Sequence, residues 1–424
     1  MIASAIKSSM HTLLRHKLLQ AGFWLSCAGV LGGVLGYVFQ VLMGRLLSPA
    51  EFALFSAIMA LSIFFMSPLG ALNMLVSRRV STLRALAQHN AMRHLYLRTH
   101  KALALSGLSF LALMAIALPY IQNYLKAPDA LPVWIFFMVI FFGAMSVVNN
   151  AFFQGQQQFV WLGVGGLAGV SIKILFSVTL ISLGWGVSGA ILGVLLSIFL
   201  VWLLGTVYTL KKLTSHAKVA PQAMEPFPLR MVLPVVIANV AFAIMTQLDM
   251  VLVNHYFDAE QAGMYAAASV LGKAVLYLPG GLVMVMFPMV AEQHAAEKGS
   301  ANILLQAAGA TLLVCGAAAL FYGLLGPWLV QVFYGQQYAL AGKLLSLYGW
   351  AILPMALVMV AEHFLIAKGR ILFAWLFLAV APLQLLTIHL WHPNLESVIL
   401  VLGAGGTVML FIGYGMLLRD YLRR

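Results

Sequence analysis

Long apolar runs separated by short polar turns make up most of the chain. A helix of roughly 20 apolar residues crosses the hydrocarbon core of a bilayer, and most of the runs reach that length. They are continuous rather than alternating with a period of two, which favours helices over a transmembrane barrel. Twelve spans are predicted, at about residues 18–43, 51–76, 102–120, 132–153, 159–182 and 187–210, two within 239–292, then 303–325, 344–366, 371–390 and 398–418.

Composition supports a polytopic membrane protein of the all-α class. Hydrophobic residues are 63% of the 424 and charged residues only 8%, whereas a soluble domain carries about 25% charged residues. The net charge of +13 would suggest nucleic acid in a soluble protein. In a membrane protein it indicates anionic lipid or an anionic substrate, so membrane lipids are expected partners and nucleic acid is not.

The sequence contains no pattern typical of a metal, cofactor or catalytic site. Its two cysteines, Cys27 and Cys315, both lie within apolar runs, where they are expected to be small buried hydrophobes. No spacing of His, Cys or acidic residues is typical of a metal site. We therefore expect no cofactor, no metal and no catalytic residue.

Loop charge predicts the orientation. With twelve spans, 19 of the 24 Lys and Arg residues fall in the termini and in loops on one side, against three on the other and two within spans. Positive residues concentrate in cytoplasmic loops. Both termini are therefore predicted to be cytoplasmic in a multi-pass membrane protein. Residues 1–17 are predicted to form a short interfacial helix.

Two echoes along the chain indicate an internal duplication. Ala53 and Phe55 precede Gly263 and Tyr265 by 210 positions, in similar turns. The second echo has an offset of 214 and pairs Gly155, Phe159 and Trp161 with Gly369, Phe373 and Trp375. Six spans per half give a parallel repeat. We predict two six-helix lobes around a central cavity, residues 1–215 with a basic loop at 77–101, and residues 216–424.

Three segments resemble a known family. LLSPAEFALFSAIMAL starts at Leu46, a second begins QLDMVLVNHYFDAEQAGMY at Gln247, and WLVQVFYGQQY starts at Trp328. They resemble Wzx-type polysaccharide exporters and lipid-linked oligosaccharide flippases of the multidrug/oligosaccharidyl-lipid/polysaccharide exporter (MOP) superfamily. Ala53 departs from the pattern, because the family often has Gly there.

The resemblance implies a transporter rather than an enzyme. Such a flippase would move a polyprenyl-diphosphate-linked oligosaccharide or polysaccharide precursor across the inner membrane by alternating access. Its partners would be that lipid-linked substrate, membrane lipids and a glycan polymerase or other export machinery.

Two intramembrane lysines are the main candidates for substrate contact, since an ionisable group within a span suggests function. Lys173 and Ser177 share a stripe with Gly166 and Gly169, and Lys273 shares a face with Ser269 and Tyr277. Lys173, Lys273, Tyr277 and Ser177 are predicted to line the cavity, and for Lys273 snorkelling to the nearby interface is the open alternative. Arg45, at the external end of span 1, joins them because it breaks the charge rule.

Asp249 is the clearly acidic residue deep in a span. It shares an arc with Asn239 and Thr246, and the three are predicted either to take up a proton or cation or to support pairing with a basic group. Glu362 is predicted to belong to a salt-bridged rim with Lys368 and Arg370.

Three other functions remain open. A drug or cation antiporter of the same superfamily would be expected to have a more acidic cavity than one carrying Lys173 and Lys273. A glycan polymerase or ligase would need a large external loop with catalytic groups, and the external loops near 121–131 and 326–343 are short. A membrane scaffold would leave the buried charges unexplained.

Overall fold

The protein is helical throughout the residues that the computed structural model describes, 2–213, 229–283, 286 and 301–422. No strand occurs among them, which confirms the all-α class. The helices are α1 Ile2–Leu46, α2 Pro49–Met66, α3 Leu69–Ala85, α4 His89–Tyr124, α5 Leu131–Gly155, α6 Phe159–Leu180, α7 Gly186–Lys212, α8 Leu229–Tyr256, α9 Ala259–Tyr277, α10 Ala301–Tyr334, α11 Ala341–Ala367, α12 Ile371–Leu390 and α13 Leu395–Leu422.

Eleven stretches of the described chain are long and apolar enough to span a membrane. One of them, residues 159–212, has 54 residues, and a straight helix of that length would measure about 80 Å. It reverses direction at Gly184, whose φ is 86°, and α6 packs back along α7. Counting this hairpin as two spans gives the predicted twelve.

The chain divides into two compact units. The first comprises residues 1–42, 69–118 and 134–227, and the second comprises 43–68, 119–133 and 228–424. In the second unit α2 packs on α8 and α9, α8 packs on α12, and α11 packs on α9, α10 and α13. The lobe boundary at residue 215 stays a prediction.

The backbone repeats around the starts of α2 and α9. Ser48 precedes α2 with φ −62° and ψ 157°, and Asp258 precedes α9 with φ −64° and ψ 153°. The amide of Phe52 donates to the carbonyl of Ser48 at 2.8 Å, and the amide of Ala262 donates to the carbonyl of Asp258 at the same distance. These turns are 210 residues apart, so the register of the first predicted echo is confirmed.

The second echo has a different register. Between α5 and α6 the residue with positive φ is Gln157, at 57°, and between α11 and α12 it is Gly369, at 70°. The amides of residues 156–158 and 368–370 donate to matching carbonyls, so the offset is 212. The predicted pairing of Gly155 with Gly369 is wrong by two residues. The Gly, Phe and Trp residues that the two segments share do not occupy the same positions in the two turns.

The predicted basic loop at 77–101 is wrong, because this segment forms two helices. Apolar residues at helical spacing on α3 and α4 pack with α5 and the end of α7, which supplies the free energy to fold a polar segment. The buried members of this cluster include Val80, Leu83, Met92, Leu95 and Phe152. The predicted separate interfacial helix is also wrong, since α1 runs unbroken from residue 2 to residue 46.

Candidate functional site

A buried charge network lies within the second unit and joins three helices. Asp249 on α8 is fully buried, and its Oδ1 accepts a hydrogen bond from Lys273 Nζ of α9 at 3.1 Å. Its Oδ2 accepts from the hydroxyl of Tyr265 on α9 at 2.8 Å and from that of Tyr348 on α11 at 3.0 Å. The carboxylate therefore has three donors, as a buried charge requires.

Close packing positions these donors. The ring of Tyr348 lies against Gly272, where a Cβ would come within 2.9 Å of its Cγ. The rings of Tyr265 and Tyr348 meet edge to face, with centroids 5.9 Å apart. Any larger residue than glycine at 272 would push Tyr348 away from the carboxylate.

The ion pair changes the roles that the sequence suggested for its members. Lys273 is 8% exposed and pairs with Asp249, so its charge is compensated inside the unit. A basic partner for Asp249 was one of two open alternatives, and the geometry favours it. Tyr265 and Tyr348 were missed, because nothing in the sequence relates a tyrosine 99 positions away to Asp249.

The other residues predicted around this network do not reach the carboxylate. Tyr277 is half exposed, and its hydroxyl accepts from Gln247 Nε2 at 3.2 Å. Thr246 is buried, and its hydroxyl donates to the Phe242 carbonyl one turn earlier. Asn239 is partly buried. Roles for these three in cation uptake or substrate contact stay predictions.

Lys173 lies in the first unit and differs from Lys273. It is partly buried on α6, and its Nζ lies 4.2 Å from the centroid of the Phe39 ring on α1. The described parts of this unit, residues 2–42, 69–118 and 134–213, contain no Asp or Glu. Lys173 therefore has an aromatic contact there and no carboxylate partner.

Ser177, predicted beside Lys173 in the cavity, is instead part of the α6–α7 contact. It is fully buried, and its hydroxyl donates to the Ala190 carbonyl at 2.9 Å. Ser197 makes the corresponding bond to the Gly169 carbonyl at 2.6 Å. The small-residue stripe is thus mainly a helix-packing surface, as such stripes usually are.

Arg45 caps a helix of the second unit. Its guanidinium donates to the carbonyls of Val332 and Phe333 at the end of α10, where a cation is favoured by the helix dipole. Beside it Phe52 packs against Tyr338, with ring centroids 6.0 Å apart. Burial, with the Glu51 charge nearby, raises the pKa of Tyr338. The geometry gives Arg45 a structural role, and its contact with substrate stays a prediction.

Glu362 does not form the predicted salt-bridged rim. It is 2% exposed on α11, and the one ion pair among the described residues is that of Asp249 with Lys273. The segment that bends back after α11 directs Lys368 over the ring of Phe364 instead. Within the described residues no group of three or more His, Cys, Asp or Glu side chains has the arrangement of a metal site.

The length and hydropathy of the helices define a multi-pass membrane protein. The sequence profile of the family described as "Polysaccharide biosynthesis protein" matches residues 17–342. This chain belongs to that family. No curated protein sequence matches it.

Solved structures share the fold at low sequence identity. An inward-facing multidrug resistance MATE family transporter of the MOP superfamily is 14% identical with a TM-score of 0.74, covering 92% of this chain and 95% of its own. The lipid II flippase MurJ, inward closed, is 16% identical with a TM-score of 0.71, covering 92% and 87%. An outward-facing MATE transporter is 15% identical with a TM-score of 0.65, covering 95% and 96%.

Proposed function

We propose that the protein is a flippase that moves a polyprenyl-diphosphate-linked oligosaccharide or polysaccharide precursor across the membrane by alternating access. The family match over residues 17–342 carries this proposal. The fold supports it, because it occurs in a lipid II flippase and in transporters solved facing inward and facing outward. Sugars and a diphosphate cannot cross hydrocarbon unaided, so a protein path for the headgroup is required.

Lys173 is the proposed contact for the diphosphate. Of the two intramembrane lysines, Lys273 is compensated by Asp249 at 3.1 Å. Lys173 lies in a unit whose described residues contain no acid to pair with it. A charge left in hydrocarbon costs at least roughly 2.5–3.5 kcal/mol at mid-span, and attraction of an anionic headgroup would give that cost a use.

The protein class, the partners and the location follow from the proposed translocation. Translocation makes and breaks no covalent bond, so we place the protein among transporters rather than enzymes. Its partners would be the lipid-linked substrate, membrane lipids and a glycan polymerase or other export machinery. We place it in the inner membrane with both termini in the cytoplasm, as the distribution of Lys and Arg indicates.

Complementation of a flippase-deficient strain tests the proposal. Lys173→Glu should abolish glycan export, because it repels a diphosphate, while Lys173→Arg should keep most of it. Lys343→Glu, the same charge reversal at an exposed site, is the matched control and should export normally. Protein level in the membrane is measured for each variant. Normal export by Lys173→Glu would refute the assigned contact, and failure of the wild-type chain with every glycan precursor would refute the flippase.

A drug or cation antiporter is the second candidate, since the fold is also that of multidrug resistance transporters. A cationic substrate needs an uncompensated and accessible acid, whereas Asp249 is already paired with Lys273 and Glu362 is only 2% exposed. We therefore expect expression of the protein to give no resistance to cationic dyes. Resistance that disappears in Asp249→Asn would favour the antiporter instead.

A further inference from the structure

A two-helix extension at one membrane face presents an unusually basic surface. Helices α3 and α4 meet at a turn where Ala87 has φ 53°, and their apolar faces pack into the buried cluster with α5. The opposite face is solvent-accessible and carries exposed cations. These are Arg78, Arg84, Arg93, Arg98 and Lys101.

The described part of the same unit offers these cations no acidic side chain. In its described residues there are twelve Lys and Arg, three in 2–42, six in 69–118 and three in 134–213, and no Asp or Glu. The guanidinium of Arg84 already makes one hydrogen bond within the protein, because it donates to the Gln156 carbonyl at 2.6 Å. This exposed face can therefore attract an external anion.

The position of two of these cations identifies the anion's environment. On α4, one exposed face about 100° wide continues from the basic segment into the span. It comprises Leu97, Arg98, Lys101, Leu105, Leu108 and Ile116, and its apolar members are 46–74% exposed. In a membrane-spanning helix an exposed stripe of large apolar residues contacts lipid tails. Arg98 and Lys101 are thus aligned with lipid rather than with the protein interior.

The depth of these cations matches that of lipid phosphates. The apolar part of α4 after Lys101 has 23 residues, about 34 Å of helix, enough to cross a hydrocarbon core of about 30 Å. Lys101 lies at its edge, and Arg98 lies about 4.5 Å farther out. The headgroup layer on each side is roughly 5–8 Å thick, so both charges fall within it.

We infer that Arg98 and Lys101 form a selective binding site for the headgroup of an anionic phospholipid, with Leu97 and Leu105 against its acyl chains. The guanidinium and the ammonium would share one phosphodiester, as charge-assisted hydrogen bonds to phosphate allow. The site needs only the membrane-spanning fold and does not depend on the proposed substrate. Because the site faces lipid, a bilayer component suits it better than a soluble acidic protein.

Native mass spectrometry of the purified full-length chain tests the inference. The protein in neutral detergent is titrated with phosphatidylglycerol or with zwitterionic phosphatidylcholine, and the dissociation constant of the first bound lipid is measured. Wild type should prefer phosphatidylglycerol. Arg98→Gln with Lys101→Gln should weaken phosphatidylglycerol binding roughly 30-fold, since each surface cation contributes about a fivefold preference for anionic lipid, and should leave phosphatidylcholine binding unchanged.

Two further variants make the result decisive. Lys368→Gln with Arg370→Gln removes the same charge from the turn after α11 and should leave the first dissociation constant within about twofold. Arg98→Lys with Lys101→Arg keeps both charges and should keep the preference. A melting temperature in lipid-free detergent checks that each variant folds. Equal losses in the two double Gln variants, or no loss at residues 98 and 101, would overturn the site.

Discussion

Breaking the Asp249–Lys273 ion pair should destabilise the protein more than removing both of its charges. Lys273→Met leaves a fully buried carboxylate with only its two tyrosine donors, at 2.8 and 3.0 Å. Leaving one partner of a buried pair uncompensated costs about 3–5 kcal/mol, whereas exposed pairs contribute about 0–1 kcal/mol. Asp249→Asn with Lys273→Met removes both charges and keeps an oxygen acceptor for the tyrosines, so it should cost less than Lys273→Met alone.

The assay is thermal unfolding of purified protein in detergent for wild type, both single variants and the double variant. An unfolding entropy of about 2.1 cal/mol/K per residue gives roughly 1–2 °C per kcal/mol if the second unit or the whole chain unfolds cooperatively. Lys273→Met should therefore lower the melting temperature by about 3–10 °C. The double variant should melt at a higher temperature than Lys273→Met.

Non-additivity is the critical result, because independent sites add and coupled sites do not. If the double variant loses the sum of the two single losses, the residues are not energetically coupled and the pair cannot hold α8 to α9. Loss of membrane insertion in any variant is detected separately by its level in the membrane fraction.

Three further outcomes are expected. Gly193→Ala should lower the melting temperature by the equivalent of about 1–3 kcal/mol, because its Cβ would come within 2.6 Å of the Cα of Ser177 on the facing helix. Gly166→Ala is the control and should not lower it, since nothing lies within 4 Å of a Cβ there. Equal effects of the two substitutions would contradict this packing. Glu362→Gln should leave the melting temperature unchanged or raise it, since an isolated buried acid gains nothing from charge; a drop of several degrees would reveal a missed ionic partner. Reporter fusions at Gln222 and Asp258 should give cytoplasmic and external signals, and a cytoplasmic signal at Asp258 would reverse the topology.

Much of the fold could be predicted because the bilayer allows few solutions. Apolar length alone placed twelve spans, and the register of the 210-residue echo is repeated in the backbone around Ser48 and Asp258. The segment at 77–101 was mistaken for a loop because polarity was weighted above periodicity. Its apolar residues recur at helical spacing, as Val80 and Leu83 do, and would have identified the two helices.

The candidate site was less accessible to sequence reasoning. A charged residue within a span is visible in the sequence, so Asp249 and the two lysines could be chosen. Which lysine would meet the acid depends on helix packing in three dimensions, and the tyrosine donors come from α9 and α11. Ser177 was misassigned for the same reason, because a small-residue stripe does not say whether it faces another helix or water.

The unequal compensation of the two intramembrane lysines has an electrical consequence. Moving one elementary charge across the full membrane potential is worth about 2.3 kcal/mol per 100 mV. Asp249 and Lys273 move together as a neutral pair, so the field does almost no net work on them. Lys173 has no such companion in the described residues of its unit, and any displacement of α6 along the membrane normal carries a gating charge. The protein's own contribution to any voltage dependence should therefore originate in the first unit, and the charge that the substrate-free protein moves in a voltage step should fall in Lys173→Met.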